Sequence, residues 1–426
     1  MKVFKSWYGV SLCAVLTALS GQAMAQQATT AGLLGNWGGL KPTLAAQGVT
    51  LGVTDSENFL GNADGGLKTG STMQGLTTMT MDVDTGKAFG ISGGDFHVSA
   101  LQLHGRPLSP YYLDTLQSAN GNEGDNATRL WEMWYDQATS NGKFDIKVGQ
   151  QSIDNEFMGS TYSGLFVNTM AGWPIIPSVD LYGGGPAYPL SSLGVRGQLK
   201  PTSNVTILAG VFDDDPGAGT FDEDQQKLDK SGGRFSLKNG ALWISEVQYA
   251  TKIGGLAGTY KLGGWYDSAN FPDQLYSTKH RGNYSLYAVV DQTVWQSTKD
   301  SSRTLNVFGR IMGAPSKQNL VELGFNGGIT LMAPLPGRDS DQLGLDVGVA
   351  KLSSRAASSM EASSGRRPNA ETLIEATYQA QATPWLVVQP DVQYVINPGG
   401  GITDPNNTSK KLKNELVAGV RAVVTF

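Results

Sequence analysis

The sequence predicts an all-β protein: a transmembrane antiparallel β-barrel of about sixteen strands, with a short N-terminal helix and an inward-folded loop. Three observations carry this. From residue 49 to Phe426 the chain divides into segments of about ten residues in which apolar and polar side chains alternate, near the length a tilted strand needs to cross a bilayer. Strands of soluble proteins more often run about five or six residues. The apolar faces tend to end in aromatics, as with Trp243 and Tyr249 or Trp385 and Tyr394, where a membrane-interface girdle would stand. Tight turns and long polar connections both occur, and barrels of this kind place short turns at one end and long loops at the other.

Residues 1–25 read as a secretory leader: Lys2 and Lys5, the apolar run WYGVSLCAVLTAL, then Ala23-Met24-Ala25 as the cleavage signal. The apolar run is too short for a membrane anchor. Cleavage before Gln26 removes Cys13, the single cysteine, so no disulfide is expected. It also removes two lysines from a chain whose formal charge is already −5, which argues against nucleic acid as a partner. Residues 26–48 form an expected periplasmic segment. After Pro42 a short helix is predicted, with Leu40, Leu44 and Ala45 on one face and Gly48 as its stop.

Residues 49–426 are the predicted barrel. In KNELVAGVRAVVTF, Leu416, Ala418, Val420, Ala422, Val424 and Phe426 share one face, while Glu415 and Arg421 lie on the other. Phe144, Ile146 and Val148 likewise oppose Asp145 and Lys147, and Leu323, Phe325 and Ile329 oppose Glu322, Asn326 and Thr330. About seventeen such segments are discernible. A bacterial single-chain barrel has an even number, so sixteen is expected. Lys238-Asn239-Gly240 reads as a tight turn between two strands. Residues 213–230 and 353–370 read as long polar loops. Glycine, at 55 of 426 residues, fits a strongly curved sheet, and no period of 20–50 residues suggests a solenoid.

Other chemistries find little support. GGGP lacks the Gly-Lys-Ser/Thr ending of a phosphate loop. His97, His104 and His280 lack metal-ligand spacing. Asp213, Asp214 and Asp215 do not have the spacing of a calcium loop and read as a solvated connection. The acidic cluster Asp222, Glu223 and Asp224 is a weak match to a glycosidase carboxylate pair. No cofactor and no catalytic residue is expected.

The stretch GWPIIPSVDLYGGGPAYPL at 172–190 can be neither strand nor helix, because its four prolines forbid both. Together with GNWGGLKPTLAAQGVTLGV, TRLWEMWYDQ at 128–137, ILAGVFDDDP at 207–216, GTYKLGGWYDSANFPD at 258–273 and ETLIEATYQAQATPWLVVQPDVQYVINPGGG at 371–401, it resembles the carbohydrate-selective porin family of OprB type. The resemblance spans nearly the whole mature chain. It implies a sixteen-stranded barrel in the Gram-negative outer membrane that passes sugars, often glucose, by facilitated diffusion. The implied partners are sugars, outer-membrane lipid and lipopolysaccharide, and the barrel-assembly machinery; the protein would be a monomer or a homotrimer.

A sugar pathway needs a narrow point with polar groups for hydroxyls and aromatic faces for the C–H side of the ring, binding weakly enough to let go. In TRLWEMWYDQ, alternation puts Glu132, Trp134 and Asp136 toward the lumen and Trp131, Met133 and Tyr135 toward lipid. Arg129 then falls in the lipid-facing phase, so it is expected at the strand's end, near the mouth. Arg106 is a second candidate cation. An inward loop at 172–190 would be stiffened by its prolines and reversed at Gly183-Gly184-Gly185. Trp173, Tyr182 and Tyr188 are candidates to stack on a sugar ring, with Asp180 accepting from its hydroxyls. For each of these residues the competing reading is structural: lumen charges forming a network, aromatics anchoring the loop. A second functional class also stays open, a secreted all-β carbohydrate-binding protein or glycoside hydrolase. Phe426 discriminates between them, because a terminal aromatic ending an alternating strand is a barrel-assembly signal and gives a soluble protein nothing.

Overall fold

The computed structural model describes residues 32–426; the leader expected at 1–25 and residues 26–31 lie outside that span. Sixteen antiparallel strands close into one barrel, each hydrogen-bonded to its neighbours in sequence. The first strand, Val49–Asp64, closes the ring by pairing with both Gly70–Asp84 and the last strand, Glu415–Thr425. Closure satisfies every backbone group of the wall internally, which a structure surrounded by lipid requires. The alternation resolves as predicted. Phe144, Ile146 and Val148 are exposed while Asp145 and Lys147 are buried, and Leu416 and Val420 are exposed while Glu415 and Val417 are buried.

The connections differ between the two ends. At the end holding Val49 and Phe426 they are short: Gly254 and Gly255, at φ +59° and +84°, turn Ile253 back into Leu256. At the other end they are long, covering residues 106–126, 152–191, 213–241, 353–369 and 397–414. The helix before the barrel runs Leu40–Ala46, starting ahead of Pro42. Its buried residue is Lys41, whereas Leu40 is exposed. The Lys41 ammonium donates to the backbone oxygen of Phe426 at 2.6 Å and lies over the Trp37 ring, so this contact, not an apolar stripe, ties the segment to the barrel.

Three expectations about connections are corrected. Residues 172–190 do contain a helix, Ile175–Asp180, because Pro177 falls in its first turn, where no backbone N–H is needed. Lys238-Asn239-Gly240 does not join two strands: the strand before it ends at Phe212 and the next starts at Leu242. Asn239 instead donates to Asp214 at 2.7 Å within the connection. The acidic run Asp213-Asp214-Asp215 is not a solvated loop but is buried. Its carboxylates accept backbone N–H groups of Ser236 (3.1 Å) and Gly219 (2.8 Å), and burial lifts Asp213 and Asp214 to about 6.

Candidate functional site

The lumen is narrowed by three of the long connections. Residues 106–126 and 152–191 fold into the barrel, and 213–241 packs over them. None of them joins the wall by a β-ladder, so their backbone groups need other partners. Wall side chains supply them. Inward carboxylates accept the N–H groups: Glu375 takes Val167 at 2.6 Å and Asn168 at 2.9 Å, Glu371 takes Leu116 and Gln117, and Glu246 takes Met158 at 2.8 Å. Inward donors take the carbonyls: Gln389 bonds to Leu165, Gln393 to Ala119, and Arg310 to Met158 and Gly172. The bonds from the carboxylates and from Arg310 are charge-assisted, the stronger class.

Apolar packing does the rest on one side. Trp173, Ile175, Ile176, Leu181 and Tyr182 form a continuous core with inward-facing Ile244, Trp265, Phe271, Tyr287 and Met312 of the wall. That half of the lumen is filled. The opposite half keeps an open cavity of about 510 Å³, within the range of small-molecule sites. Its lining mixes charges (Glu123, Asp154, Glu156, Lys261, Arg421), amides (Asn122, Asn155, Gln226) and aromatics (Trp131, Trp173, Tyr188).

Electrostatics in the inward segments follow from burial. Burial pushes the Glu123 carboxyl up to about 7, although it accepts from the Leu108 and Ser109 backbone. Burial also raises Asp154, which accepts the Tyr188 N–H at 3.1 Å. Glu156 is half-buried, and the neighbouring Lys147 and Arg196 cations outweigh the effect of burial and hold it below the usual carboxylate range. Arg196 reaches Glu156 at 2.6 Å and Asp136 at 3.1 Å, and it also pairs with Asp145.

The residues singled out from the sequence fall into three groups. Trp173 and Tyr188 line the cavity. Each is also fixed in place: Trp173 Nε1 donates to Gly184 at 2.8 Å, and the Tyr188 hydroxyl donates to Asn122 at 2.9 Å. Asp180 and Tyr182 anchor the segment from behind. The Asp180 carboxylate accepts from Leu320 at 2.6 Å, and Tyr182 donates to Asn270 at 2.6 Å between the edges of Phe221 and Phe271. Glu132, Trp134 and Asp136 belong to a wall network. Glu132 accepts the Ser152 N–H at 3.0 Å, and Trp134 stacks on His97 at 4.8 Å with the Lys147 ammonium 4.3 Å from its ring. Arg106 is exposed, with its guanidinium over Tyr111.

Arg129 and Trp131 correct the alternation. Both are buried toward the lumen; alternation put Trp131 toward lipid, and put Arg129 in the lipid-facing phase at the strand's end near the mouth. Ser99 pairs with Glu132 but Ala100 pairs with Leu130, so Trp131 is an extra residue in its strand. Such a bulge shifts the phase of everything before it. Trp131 thus stands edge-on to Tyr188 at 6.2 Å, and Arg129 reaches the Gln226 carbonyl at 3.4 Å. Arg421 and Lys261 were legible only as inward charges among many. What marks them is that the folded-in segments leave them at the opening.

Comparison with known proteins agrees with this architecture. The chain is similar to Porin B of Pseudomonas aeruginosa, 24% identical with 92% of this chain and 91% of that protein covered. It is also similar to a protein of Acinetobacter baylyi described as putative porin QuiX, 21% identical over 92% of this chain and 93% of that one. Among solved structures, the high-pH form of Pseudomonas putida OprB superposes with a TM-score of 0.81, at 22% identity over 94% of this chain and 99% of that one. Residues 68–426 match the family model described as carbohydrate-selective porin, OprB family. A closed sixteen-stranded barrel whose lumen is narrowed by wall-held segments, matched to that model over most of its length, identifies the chain as a member of the carbohydrate-selective OprB porin family.

Proposed function

We propose that this barrel carries small carbohydrates, glucose or other mono- and disaccharides, by facilitated passive diffusion across the Gram-negative outer membrane after export through a cleaved leader. The observation that carries the reading is the cavity beside the filled half of the lumen. Hydroxyl-binding amides and charges stand there within one opening alongside the faces of Trp131, Trp173 and Tyr188. A ring with equatorial hydroxyls and axial C–H groups suits such a lining, and passage requires that its groups bind weakly enough to release the solute. Transport of this kind needs no catalyst, so the carboxylates act on charge and position only. Arg310 and Glu375 of the wall, and Asp180 of the inward segment, serve as positioning residues for the constriction. Planar-bilayer recordings with a panel of sugars test the proposal: concentration-dependent block of ion current by sugars, saturating in the millimolar range or above, supports it. Current indifferent to every sugar in the panel would reject it.

A further inference from the structure

The groups that suit a sugar do not stop at the rim of the cavity. Glu123 and Gln226 line the cavity, and they belong to two of the long connections, 106–126 and 213–241. Gln226 ties the two together, because its Oε1 accepts the Asp125 N–H at 2.8 Å. One residue past Gln226 and two past Glu123, at most about 7 Å along the chain, both stretches emerge into solvent. The Lys227 side chain is 65% exposed and that of Asp125 37%, with the ammonium 3.9 Å from the carboxylate. Lys227 also pairs with Asp224 at 2.6 Å.

An aromatic face stands beside this charged pair. Tyr111 lies in the single helical turn Ser109–Leu113 and is half-exposed. Its neighbours hold that turn down: Leu113 is buried, and Tyr112 packs on the cluster of Leu60, Leu108 and Val417 under the Lys68 ammonium. The Arg106 guanidinium lies 5.3 Å from the centre of the Tyr111 ring, a cation–π contact that steadies the ring from one face. The bond to Asp224 holds the Lys227 ammonium above its usual range, helped by Asp125 and, least, by Tyr111, which brings the ring to the Asp125–Lys227 pair.

We propose that Tyr111, Arg106, Asp125 and Lys227 form an outer subsite that takes one ring of a linked saccharide while a neighbouring ring of the same chain occupies the cavity. The inference rests on the sugar-pathway reading and extends it from single sugars to short linear chains. The chemistry matches that ligand. An aromatic face receives the C–H side of a ring, the carboxylate accepts from hydroxyls, and the two cations donate to them. Exposed groups of this kind hold a single ring weakly. Two subsites one ring apart make the second contact intramolecular, so a chain that reaches both is held more tightly than a single ring, with no new group needed. The short path from Glu123 and Gln226 to Asp125 and Lys227 supplies that spacing.

Planar-bilayer recordings on the whole protein test this, with glucose or maltotriose added at the long-connection side. Block of ion current by maltotriose should be several-fold tighter than block by glucose. Tyr111→Ala should bring the maltotriose value down to that of glucose, and Arg106→Gln should fall between. Tyr111→Leu keeps the bulk without the ring and gives the same comparison if Tyr111→Ala fails to insert. Wild-type block equally tight for the two sugars, or a Tyr111 variant that keeps the preference for maltotriose, would overturn the outer subsite and leave the sugar pathway standing. Weakening of both sugars by the same factor would also overturn it, since a site for a second ring cannot act on a single one to that extent. Wild-type current blocked by neither sugar would reject the pathway and the subsite together.

Discussion

Arg310, on the wall strand Thr304–Gly313, donates from Nη1 to the backbone oxygens of Gly172 at 2.9 Å and Met158 at 2.8 Å, while its Nε donates to Asn326 at 2.9 Å. A further bond runs to Met170. One buried guanidinium therefore fastens three carbonyls of the inward segment to the barrel. Hydrogen bonds to a charged group contribute about 1.5–3 kcal/mol each. Arg310→Met should free the segment: single-channel conductance rises and becomes noisier, and sugar block weakens. Arg310→Lys should fall between, since an ammonium cannot span the three acceptors as the fork does.

The aromatics of the segment should separate by role. Trp173→Ala and Tyr188→Ala remove faces from the cavity, so sugar-dependent block should weaken several-fold in bilayer recordings; Trp173→Ala also removes a core side chain and should lower stability as well. Tyr182→Ala lies behind the segment, within the Phe221–Phe271 cluster. It should chiefly lower thermal stability, by about 3–5 kcal/mol as for other large-to-small core changes. Equal effects of all three on block would show that none of them contacts sugar.

Glu123 makes ion selectivity depend on pH. Burial raises its carboxyl to about 7 and it lines the cavity, so it is neutral below that pH and negative above it. Cation preference, read as the reversal potential in a salt gradient, should therefore increase as pH rises through about 7. Glu123→Gln should flatten that part of the curve. Asp154, which also lines the cavity and is raised by burial, adds a slope that Glu123→Gln leaves in place.

The last strand is fixed at its end by backbone bonds and by Lys41: Phe426 donates to the Val53 carbonyl at 3.0 Å, Leu33 donates to Thr425 at 2.8 Å, and the Lys41 ammonium donates to the Phe426 oxygen at 2.6 Å. The Phe426 side chain shares the groove with Leu34 and Trp37. Deleting Phe426 should lower the yield of folded, membrane-inserted barrel, measured by heat-modifiable migration. Phe426→Leu should lose less.

The strand pattern was readable because lipid and water demand opposite faces, and a two-residue period records that demand in every strand. The alternation marked about seventeen segments, the even strand number of bacterial barrels reduced them to sixteen, and the composition of the connections marked the short-turn, long-loop asymmetry. Two kinds of feature left no such mark. The bulge at Trp131 adds one residue without any glycine or proline to announce it, and it reversed the facing of Arg129. The docking of the inward segment was visible only in lumen-side apolar residues. Ile244, Trp265, Phe271 and Met312 sit where polar side chains were expected, because they meet the segment's core instead of water. Asp180 looked like a hydroxyl acceptor for sugar. Its real partners are backbone N–H groups 140 residues away, which no local pattern encodes.

Solute flux into liposomes reads the proposed passive sugar pathway without any other component. Folded protein reconstituted into vesicles should admit glucose down its gradient, well above protein-free vesicles and with no energy source. A neutral polyol too large for the constriction should enter far more slowly. Glucose entry no faster than in protein-free vesicles, from protein shown to be folded and inserted, would contradict the account.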